Sequence, residues 1–481
     1  MDSEKLLAAW GRARLLGVLL FTLLFASAAV IFTGLVLGTD IPTEKLLSPS
    51  VAKTLWNPSG SPPDPTVVHT KHLGGTPGYQ VLEHVWVGNG TIYMYAPDRS
   101  KLPSKSRAVS GETGWEVFTH PTGERIEHAK NALKLGGTTI FVNDGADTSQ
   151  WHYLSSYYHL IGEIFLGSVA AIASLPSKVG IPQVDARDWG ERVPATPERF
   201  IIPWKAAEGW RDEEGLGEMV LRGIFGDKFL EPHDWAALSD PDNEHNGWVY
   251  LERVVITDRW ASHRHNPLSE ALNKMAASVF ALPHSPFFFT PSRLTLLPHL
   301  GINLSPHRLA PSKLSTGEGV PKVVYVDRQG TDRKLDDESH MGIAVVLAEL
   351  DALGLARVGH KKMERLTHVE QVEAVADADI IIGVHGDMLT HQLWMTEGGV
   401  VIELFPPDSY LPENQIVADV LHHEYIPVWH DVALTRKEWE GLPRQHGHGA
   451  LYDGTEVTVD KAYLRLLLEE VLQRMTDERG S

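Results

Sequence analysis

The chain has 481 residues, a length that predicts two sizeable domains. Its content of 43% hydrophobic and 22% charged residues is typical of a folded globular protein. Its formal net charge of −19 excludes non-specific binding of nucleic acid, because there is no excess of Lys and Arg to neutralise phosphates. The chain has no cysteine, which excludes disulfides, thiolate nucleophiles and zinc sites built on cysteine.

The N-terminus predicts a membrane anchor. Residues 15–38 carry no charge and exceed the roughly 20 residues that a helix needs to cross a bilayer. Lysine and arginine precede them and acids follow, which predicts a cytosolic tail at 1–14 and a lumenal remainder. A signal peptide cleaved after Ala26-Ser27-Ala28 is the alternative, although its apolar core is usually shorter. Residues 39–65, rich in Pro and Ser, are expected to form a stem.

Residues 66–312 alternate strands with helices, which predicts a first α/β domain. Apolar periodicity and turn residues predict a hairpin at 81–95 that turns at 88–90, strands at 138–142, 200–204 and 251–257, and helices at 155–175 and 268–280.

Residues 313–430 predict a doubly wound parallel sheet. The expected strands are 323–326, 356–358, 380–382, 400–405 and 425–429, and the expected helices are 336–353, 367–378, 389–395 and 416–422. Residues 431–481 form a C-terminal segment, whose amphipathic helix at 459–475 is expected to pack back on the first domain.

The segment 379–407 predicts an anion site. A buried strand ends at Gly383-Val384-His385-Gly386, and a short helix and a second buried strand follow. The exposed N–H groups and the dipole of a helix that begins after such a loop favour phosphate. His385 lies in the loop and Glu403 on the next strand, where each adds a polar group. An ordinary strand–loop–helix without a ligand is the alternative, since the glycines do not form GxGxxG.

A second loop carries cations. Arg328, Arg333 and Lys334 follow the strand at 323–326, and guanidinium groups match the geometry of phosphate oxygens. The alternative is a solvated loop whose cations pair with the neighbouring aspartates.

A histidine–carboxylate pair lies on the helix predicted at 155–175. His159 and Glu163 are four residues apart and share one face, so the carboxylate would orient the imidazole as a general base. The alternative is a structural histidine, and His152 is a competing base. Asp258-Arg259, at the end of a predicted strand, indicates either a cleft or a surface ion pair.

Two other reaction classes find little support. His385, Asp387 and His391 suggest a metal-dependent hydrolase, but their spacing is not that of a known metal motif and no HExxH is present. No GxSxG elbow of a serine hydrolase is present either. We expect no metal.

Three stretches together resemble glycosyltransferase family 61, which includes plant β-1,2-xylosyltransferases and O-linked N-acetylglucosaminyltransferases. GVHGDMLTH and GGVVIELFP are similar to its GxHGAxLTN-like loop and the strand that follows. VVYVDRQGTDRKL looks like its strand and arginine loop, and YYHLIGE looks like its aromatic-His-xxx-Glu helix. The order and spacing of these stretches agree with those of the family over about residues 151–407. The chain resembles a fungal-type member of the family.

The resemblance implies a GT-B-like α/β fold with two facing Rossmann-like domains. It also implies an inverting, metal-independent transfer from a UDP-sugar to a glycan or glycoprotein, in the Golgi or endoplasmic reticulum. The candidate donor-binding residues are those of the two loops and the following strand: Arg328, Arg333, Gly383, His385, Gly386, Leu389, Thr390 and Glu403, with Glu403 on the ribose. The candidate catalytic residues are His159, Glu163 and His152.

The loop departs from the family pattern. Asp387 and Met388 replace small residues, and His391 replaces Asn. Before the arginine loop, Asp327 replaces Ser. An acid beside a diphosphate is unfavourable, so a catalytically degenerate lumenal protein that binds glycans or a partner is the alternative function.

Overall fold

The structure is a computed structural model that describes residues 60–480, apart from 121, 145–153, 177–178, 186–191, 204–206, 213–214, 273, 305–318, 443–450 and 452–453. The predicted cytosolic tail, anchor and most of the stem lie outside the described residues, as does His152. Within the described ranges, no helix is both long enough and apolar enough to span a bilayer.

The first sheet is mixed. Its order is β4-β3-β2-β10-β5-β8-β9, with β1 paired to β2, and a small ribbon of β6 and β7 lies apart. The strands are β1 Lys71–Thr76, β2 Tyr79–Gly88, β3 Thr91–Tyr95, β4 Gly114–Phe118, β5 Leu133–Val142, β6 Gln183–Asp185, β7 Arg192–Pro194, β8 Arg199–Ile201, β9 Phe229–Leu230 and β10 Val249–Thr257.

The predicted hairpin is confirmed as β2 and β3, which pair antiparallel. The other expected strands of this part are confirmed as β5, β8 and β10. This sheet is parallel from β10 through β5 and β8 to β9, and from β3 to β4. The strand β2 pairs antiparallel with β1 and β3, through tight hairpins, and also with β10. It is therefore less regular than the Rossmann-like sheet that we expected.

The helix predicted at 155–175 begins as a π-helix, Tyr158–Phe165, and continues as an α-helix, Leu166–Ala173. Such π segments are rare and occur often at functional sites. The other helices of this part are Arg99–Lys101, Lys105–Ala108, Glu124–Asn131, Ala207–Trp210, Leu216–Phe225, Gly226–Lys228, Pro232–Leu238, Arg259–His265, Pro267–Leu272, Ala277–Phe280 and Thr290–His299.

The second sheet has the order β12-β11-β13-β14-β15-β16. Its strands are β11 Lys322–Asp327, β12 Arg357–Lys362, β13 Ile380–Val384, β14 Val400–Phe405, β15 Glu424–Trp429 and β16 Val432–Ala433. All pairs are parallel except β15 with β16. The chain leaves β11 in one direction for β12 and crosses back for β13, so a topological switch point lies between β11 and β13. In open α/β sheets, ligands bind at the carboxyl ends of the strands that flank such a point.

The helices of this part are Asp337–Ala352, Met363–Arg365, His368–Ala376, the 3-10 helix Asp387–Trp394, Glu413–Val420, Arg436–Glu440 and the C-terminal helix Lys461–Gly480. The helix His368–Ala376, predicted at 367–378, begins with a capping box formed by Thr367 and Glu370.

The C-terminal helix does not lie where we expected it. Its apolar residues Leu464, Leu468 and Leu472 share a core with Ile343 and Leu350 of the helix Asp337–Ala352, on the second sheet. The expected packing on the first domain is therefore wrong. The amphipathic pattern reports that one helix face is covered, but it does not specify the covering surface.

One continuous apolar core joins the two sheets. It includes Val81 and Ile140 from the first sheet, Val324 and Val401 from the second, and Leu160 of the π-helix between them. The π-helix therefore lies against the face of the second sheet that carries the 3-10 helix.

Candidate functional site

The two predicted loops meet at the switch point. Arg328 follows β11 and reaches across to β13, where its Nη1 donates a hydrogen bond to the carbonyl oxygen of His385. Gly386 is the position at which the guanidinium approaches the backbone most closely, because a Cβ there would overlap it. Its φ of 152° also favours glycine. The sequence therefore places an arginine in the crevice between the loops that follow β11 and β13.

The positive charge of Arg328 is only partly compensated by nearby carboxylates. Its Nε is buried and has no hydrogen-bond partner among the described residues. Burial, followed by the nearby Arg333, lowers the pKa of Arg328 to about 10, and Asp387 and Glu403 offset this only in part. It remains a cation at neutral pH, so an anion bound in the crevice would relieve both the desolvation and the repulsion between the two arginines.

His385 and Glu403 form a buried ion pair beneath this crevice. His385 Nδ1 lies 2.6 Å from Glu403 Oε1, and its Nε2 lies 3.3 Å from Glu413 Oε2. Glu403 also accepts hydrogen bonds from Asn414 at 2.7 Å and from the Tyr425 hydroxyl at 2.5 Å. Burial would lower the pKa of His385, but the two carboxylates raise it to about 9. The loop therefore contains a second cation, an imidazolium.

The charged His385 predicts a loss of stability at alkaline pH. Its folded pKa of about 9 exceeds the ordinary 6.5, so its contribution is complete below pH 6.5 and disappears as the pH rises through 9. We expect the free energy of unfolding to fall by roughly 3 kcal/mol between pH 6.5 and 10 from this group. Urea unfolding of the wild type and of His385→Gln across that range measures it. An equal pH dependence in both proteins would contradict the assignment.

On the π-helix, His159 and Glu163 are joined as predicted. His159 Nδ1 lies 2.6 Å from Glu163 Oε2, and 23% of the imidazole is exposed. Glu163 is buried, and burial would raise its pKa, but His159, Arg259 and Lys274 together lower it to about 2. Since Glu163 is an anion, Nδ1 carries the proton that it shares with Glu163, and Nε2 is the basic nitrogen.

Arg259 and Asp144 hold Glu163 in place. Arg259 Nη1 donates to Glu163 Oε2 at 2.9 Å, and its Nε donates to Asp144 Oδ2 at 2.6 Å. All three side chains are buried. Val142 of β5 and Thr257 of β10 are partners in register, so Asp144 and Arg259 follow two adjacent strand ends. Of the strand-end pair Asp258-Arg259 that the sequence left ambiguous, Arg259 is therefore part of the His159 site, whereas Asp258 caps the helix Arg259–His265.

Lys274 connects the two clusters. Its Nζ forms an ion pair with Glu413, the carboxylate beside His385, and its charge also lowers the pKa of Glu163. Lys274 and Glu413 were not predictable from the sequence, because neither belongs to a motif and each acts through a partner distant in the chain.

The π-helix and the 3-10 helix are in direct contact. Ser156, just before the π-helix, donates to Asp387 at 2.9 Å, and the Tyr157 hydroxyl accepts from Trp394 Nε1 at 2.8 Å. The buried Tyr158 hydroxyl has no hydrogen-bond partner among the described residues. The helix that carries the histidine–carboxylate pair thus packs against the helix that follows the arginine crevice.

A sequence profile of the family described as Glycosyltransferase 61 matches residues 152–402, just over half of the chain. The chain belongs to glycosyltransferase family 61. A glycosyltransferase requires a sugar donor and an acceptor. The matched range includes His159, Arg328 and His385. No curated protein matches the chain.

Not every donor-site residue predicted from the family resemblance can touch a ligand. Both carboxylate oxygens of Glu403 are engaged by protein groups, so the proposed contact with a ribose is replaced by a role in positioning His385. Leu389 is in the core. Gly383 is packed closely against Val326, where a Cβ would lie 3.1 Å from its carbonyl oxygen. Thr390 is buried, and its hydroxyl has no hydrogen-bond partner among the described residues.

The metal alternative at His385, Asp387 and His391 has no geometric support. Both nitrogens of His385 face carboxylates, Asp387 binds Ser156, and His391 is buried against Tyr157. Burial lowers the pKa of His391 to about 3, so it is a neutral core residue.

Proposed function

We propose that this family 61 glycosyltransferase is an inverting enzyme that moves a sugar, xylose or N-acetylglucosamine, from a UDP-sugar to a hydroxyl of a glycan or glycoprotein. The observation that carries this proposal is Arg328, a desolvated arginine at the switch point of the second sheet. The two parts of the chain would act as the facing domains of a GT-B-like fold. The secretory pathway is proposed from the anchor predicted at 15–38 and the stem that follows.

The leaving group would be bound by protein cations. Arg328 and Arg333 would stabilise the charge that develops on the diphosphate. The buried ion pair of His385 with Glu403 would hold the loop beneath it in place. Such a site needs no metal at the phosphates, because the cations supply the charge.

The acceptor would be activated from the first domain. As the acceptor oxygen bonds to the anomeric carbon, the bond from that carbon to the UDP oxygen breaks and its electron pair leaves with UDP. The proton of the acceptor hydroxyl passes to Nε2 of His159, whose Nδ1 is held by Glu163. Attack on the face opposite to UDP inverts the anomeric configuration.

The test is a donor screen with full-length protein in detergent, in which UDP release and the thermal midpoint are both measured. A ligand of the native state raises the midpoint. We expect UDP and its cognate sugar to raise it, and one donor to be turned over. If no nucleotide diphosphate or nucleotide sugar at millimolar concentration changed the midpoint, the proposal would be wrong.

Gly386→Ala provides a specific prediction for the crevice. The new methyl group would displace the guanidinium of Arg328, so we expect UDP affinity to fall about tenfold or more, which corresponds to about 1.4 kcal/mol. Gly354→Ala is the matched control, because its φ is also positive but its Cβ would meet open space. Calorimetric titration with UDP distinguishes them, and equal losses of affinity in both variants would contradict the role of Gly386.

A non-catalytic relative that binds glycans or a partner is the second candidate, and Asp387 is the observation that favours it. Asp387 is exposed at the start of the 3-10 helix, and its carboxylate accepts a hydrogen bond from Ser156. That bond directs the acid toward the first domain, which reduces its conflict with a diphosphate. UDP binding without turnover over a panel of donors and acceptors would favour this candidate.

A further inference from the structure

A second group of polar side chains lies at the edge of the same sheet, apart from the proposed transfer site. Asp327 is the last residue of β11, His360 lies on the neighbouring β12, and His340 lies on the helix Asp337–Ala352. One potential ligand atom from each lies within 4.8 Å of the others. Asp327 is fully buried, His340 is partly buried and His360 is exposed, so the group opens to solvent on one side.

This group is separated from the arginine crevice by strand alternation. Tyr325 and Asp327 point to the face that carries the helix Asp337–Ala352, since Tyr325 shares a core with Ile343. Val326 belongs to the core on the opposite face, where Arg328 also extends to reach His385. A ligand bound by Asp327 would therefore not replace a ligand bound by Arg328.

The side chains form a partly prepared coordination sphere. His360 Nε2 already lies 2.8 Å from Asp327 Oδ2, and the Tyr325 hydroxyl lies 3.1 Å from His340 Nδ1. A hydroxyl on one ring nitrogen orients a histidine so that the other nitrogen can bind a metal. Tetrahedral bonds of about 2.1 Å place ligands roughly 3.4 Å apart, so small side-chain rotations would close the site.

Two protein groups already contact the Asp327 carboxylate, where a metal ion would bind. Lys362 Nζ lies 3.7 Å from Asp327 Oδ2, and the backbone N–H of Gln329 donates to Asp327 Oδ1 at 2.8 Å. The lysine is partly exposed, and its ion pair with Asp327 is long and therefore weak. A divalent ion could displace it from the carboxylate. The Gln329 contact occupies the other oxygen and would persist.

A second such group among the described residues provides a contrast. Glu231, His233 and Asp234 also lie within the same distance of one another. However, Arg211 and Arg222 both bind Glu231, at 2.6 and 2.8 Å, and Asp234 caps its own helix. That carboxylate is already neutralised by two arginines, and the group has only one imidazole.

We propose that Asp327, His340 and His360 bind one divalent transition-metal ion of the zinc, cobalt or nickel class. Two imidazoles with one carboxylate suit these ions, whereas magnesium and calcium prefer oxygen ligands. The ion would tie the end of β11 to β12 and to the helix that begins after the loop 328–336. It would thus fix the arginine loop from the opposite face of the sheet, without supplying charge to the phosphates.

The test is a titration of chelator-stripped full-length protein with Zn²⁺ against a chromogenic zinc indicator, in the absence of any nucleotide. We expect the wild type to bind one equivalent of Zn²⁺ that His340→Gln and His360→Gln each weaken at least tenfold, with no comparable binding of Mg²⁺. His233→Gln is the matched control and should bind as the wild type does. Because His340 and His360 are partly exposed, both variants should fold, which their thermal midpoints without metal will verify.

Unchanged zinc binding in both His340→Gln and His360→Gln would overturn the proposal, and so would its loss in His233→Gln alone. Co²⁺ provides a second readout, since its visible absorption reports imidazole ligands. A wild-type spectrum that matched that of His360→Gln would also overturn the proposal. The titration contains no donor, so its failure would leave the proposed transferase function unaffected.

Discussion

Replacement of Arg328 by alanine is expected to reduce the affinity for UDP about 100-fold and to remove most of the transferase activity. The arginine lies in the crevice at the switch point, where its Nε has no hydrogen-bond partner among the described residues. Hydrogen bonds between charged groups contribute about 1.5–3 kcal/mol each, and they are strongest where water is excluded. Calorimetric titration with UDP measures the loss of affinity, and UDP release from the cognate donor measures the loss of activity.

Arg357→Ala is the control for this variant. Arg357 is the first residue of β12, at the amino edge of the same sheet, and it lies 3.4 Å from Asp377. It carries the same charge at the wrong end of the strands, so its removal should leave UDP binding unchanged. If Arg328→Ala bound UDP as tightly as the wild type does, the phosphate assignment would be wrong.

Replacement of His159 by alanine is expected to lower kcat by 10²- to 10⁴-fold, the range typical of general base catalysis, with little change in UDP affinity. The imidazole is held by Glu163 at 2.6 Å, and the charge on Glu163 selects the tautomer whose Nε2 accepts a proton. Steady-state kinetics with saturating donor, together with a UDP titration of the same variant, separate chemistry from binding.

The surface pair of His128 and Glu124 provides the matched control. It has the same four-residue spacing, with 3.7 Å between the charged atoms, but lies on the helix Glu124–Asn131 in the first part of the chain. His128→Ala should retain full activity. A His159→Ala enzyme with the kcat of the wild type would mean that another group takes the proton, with His152 as the next residue to test.

The central strands of the second sheet were predictable because they are buried on both faces. Continuous apolar runs such as that of β14 identify parallel strands, and Asp336 and the Thr367 capping box mark helix starts. In the first sheet the hairpin was predictable from Gly88-Asn89-Gly90, but strands as short as β9 carry no such signal. The position of the C-terminal helix was not predictable, since amphipathicity does not identify a partner.

The site was predictable only where its residues are close in sequence. His159 and Glu163 share a helix face, and their contact follows from the spacing. Glu403 looked available to a ligand, yet Asn414 and Tyr425, from later elements, occupy its oxygens. Contacts between segments far apart in the chain depend on the register of the sheet and on helix packing, which a local pattern does not encode.

Asp387 illustrates the same point. From the sequence it was an acid inside an anion site, with no evident role. In the structure its partner is Ser156, more than 200 residues away in the chain. The acid therefore connects the π-helix to the 3-10 helix.

Hydrogen exchange with and without UDP tests the central claim most directly, because it locates the bound nucleotide without any substitution. A diphosphate held by Arg328 and by the loop around Gly386 should slow amide exchange in peptides that cover residues 328–335 and 383–389. Protection confined to other parts of the chain, or no protection at saturating UDP, would contradict a donor site at the switch point between β11 and β13.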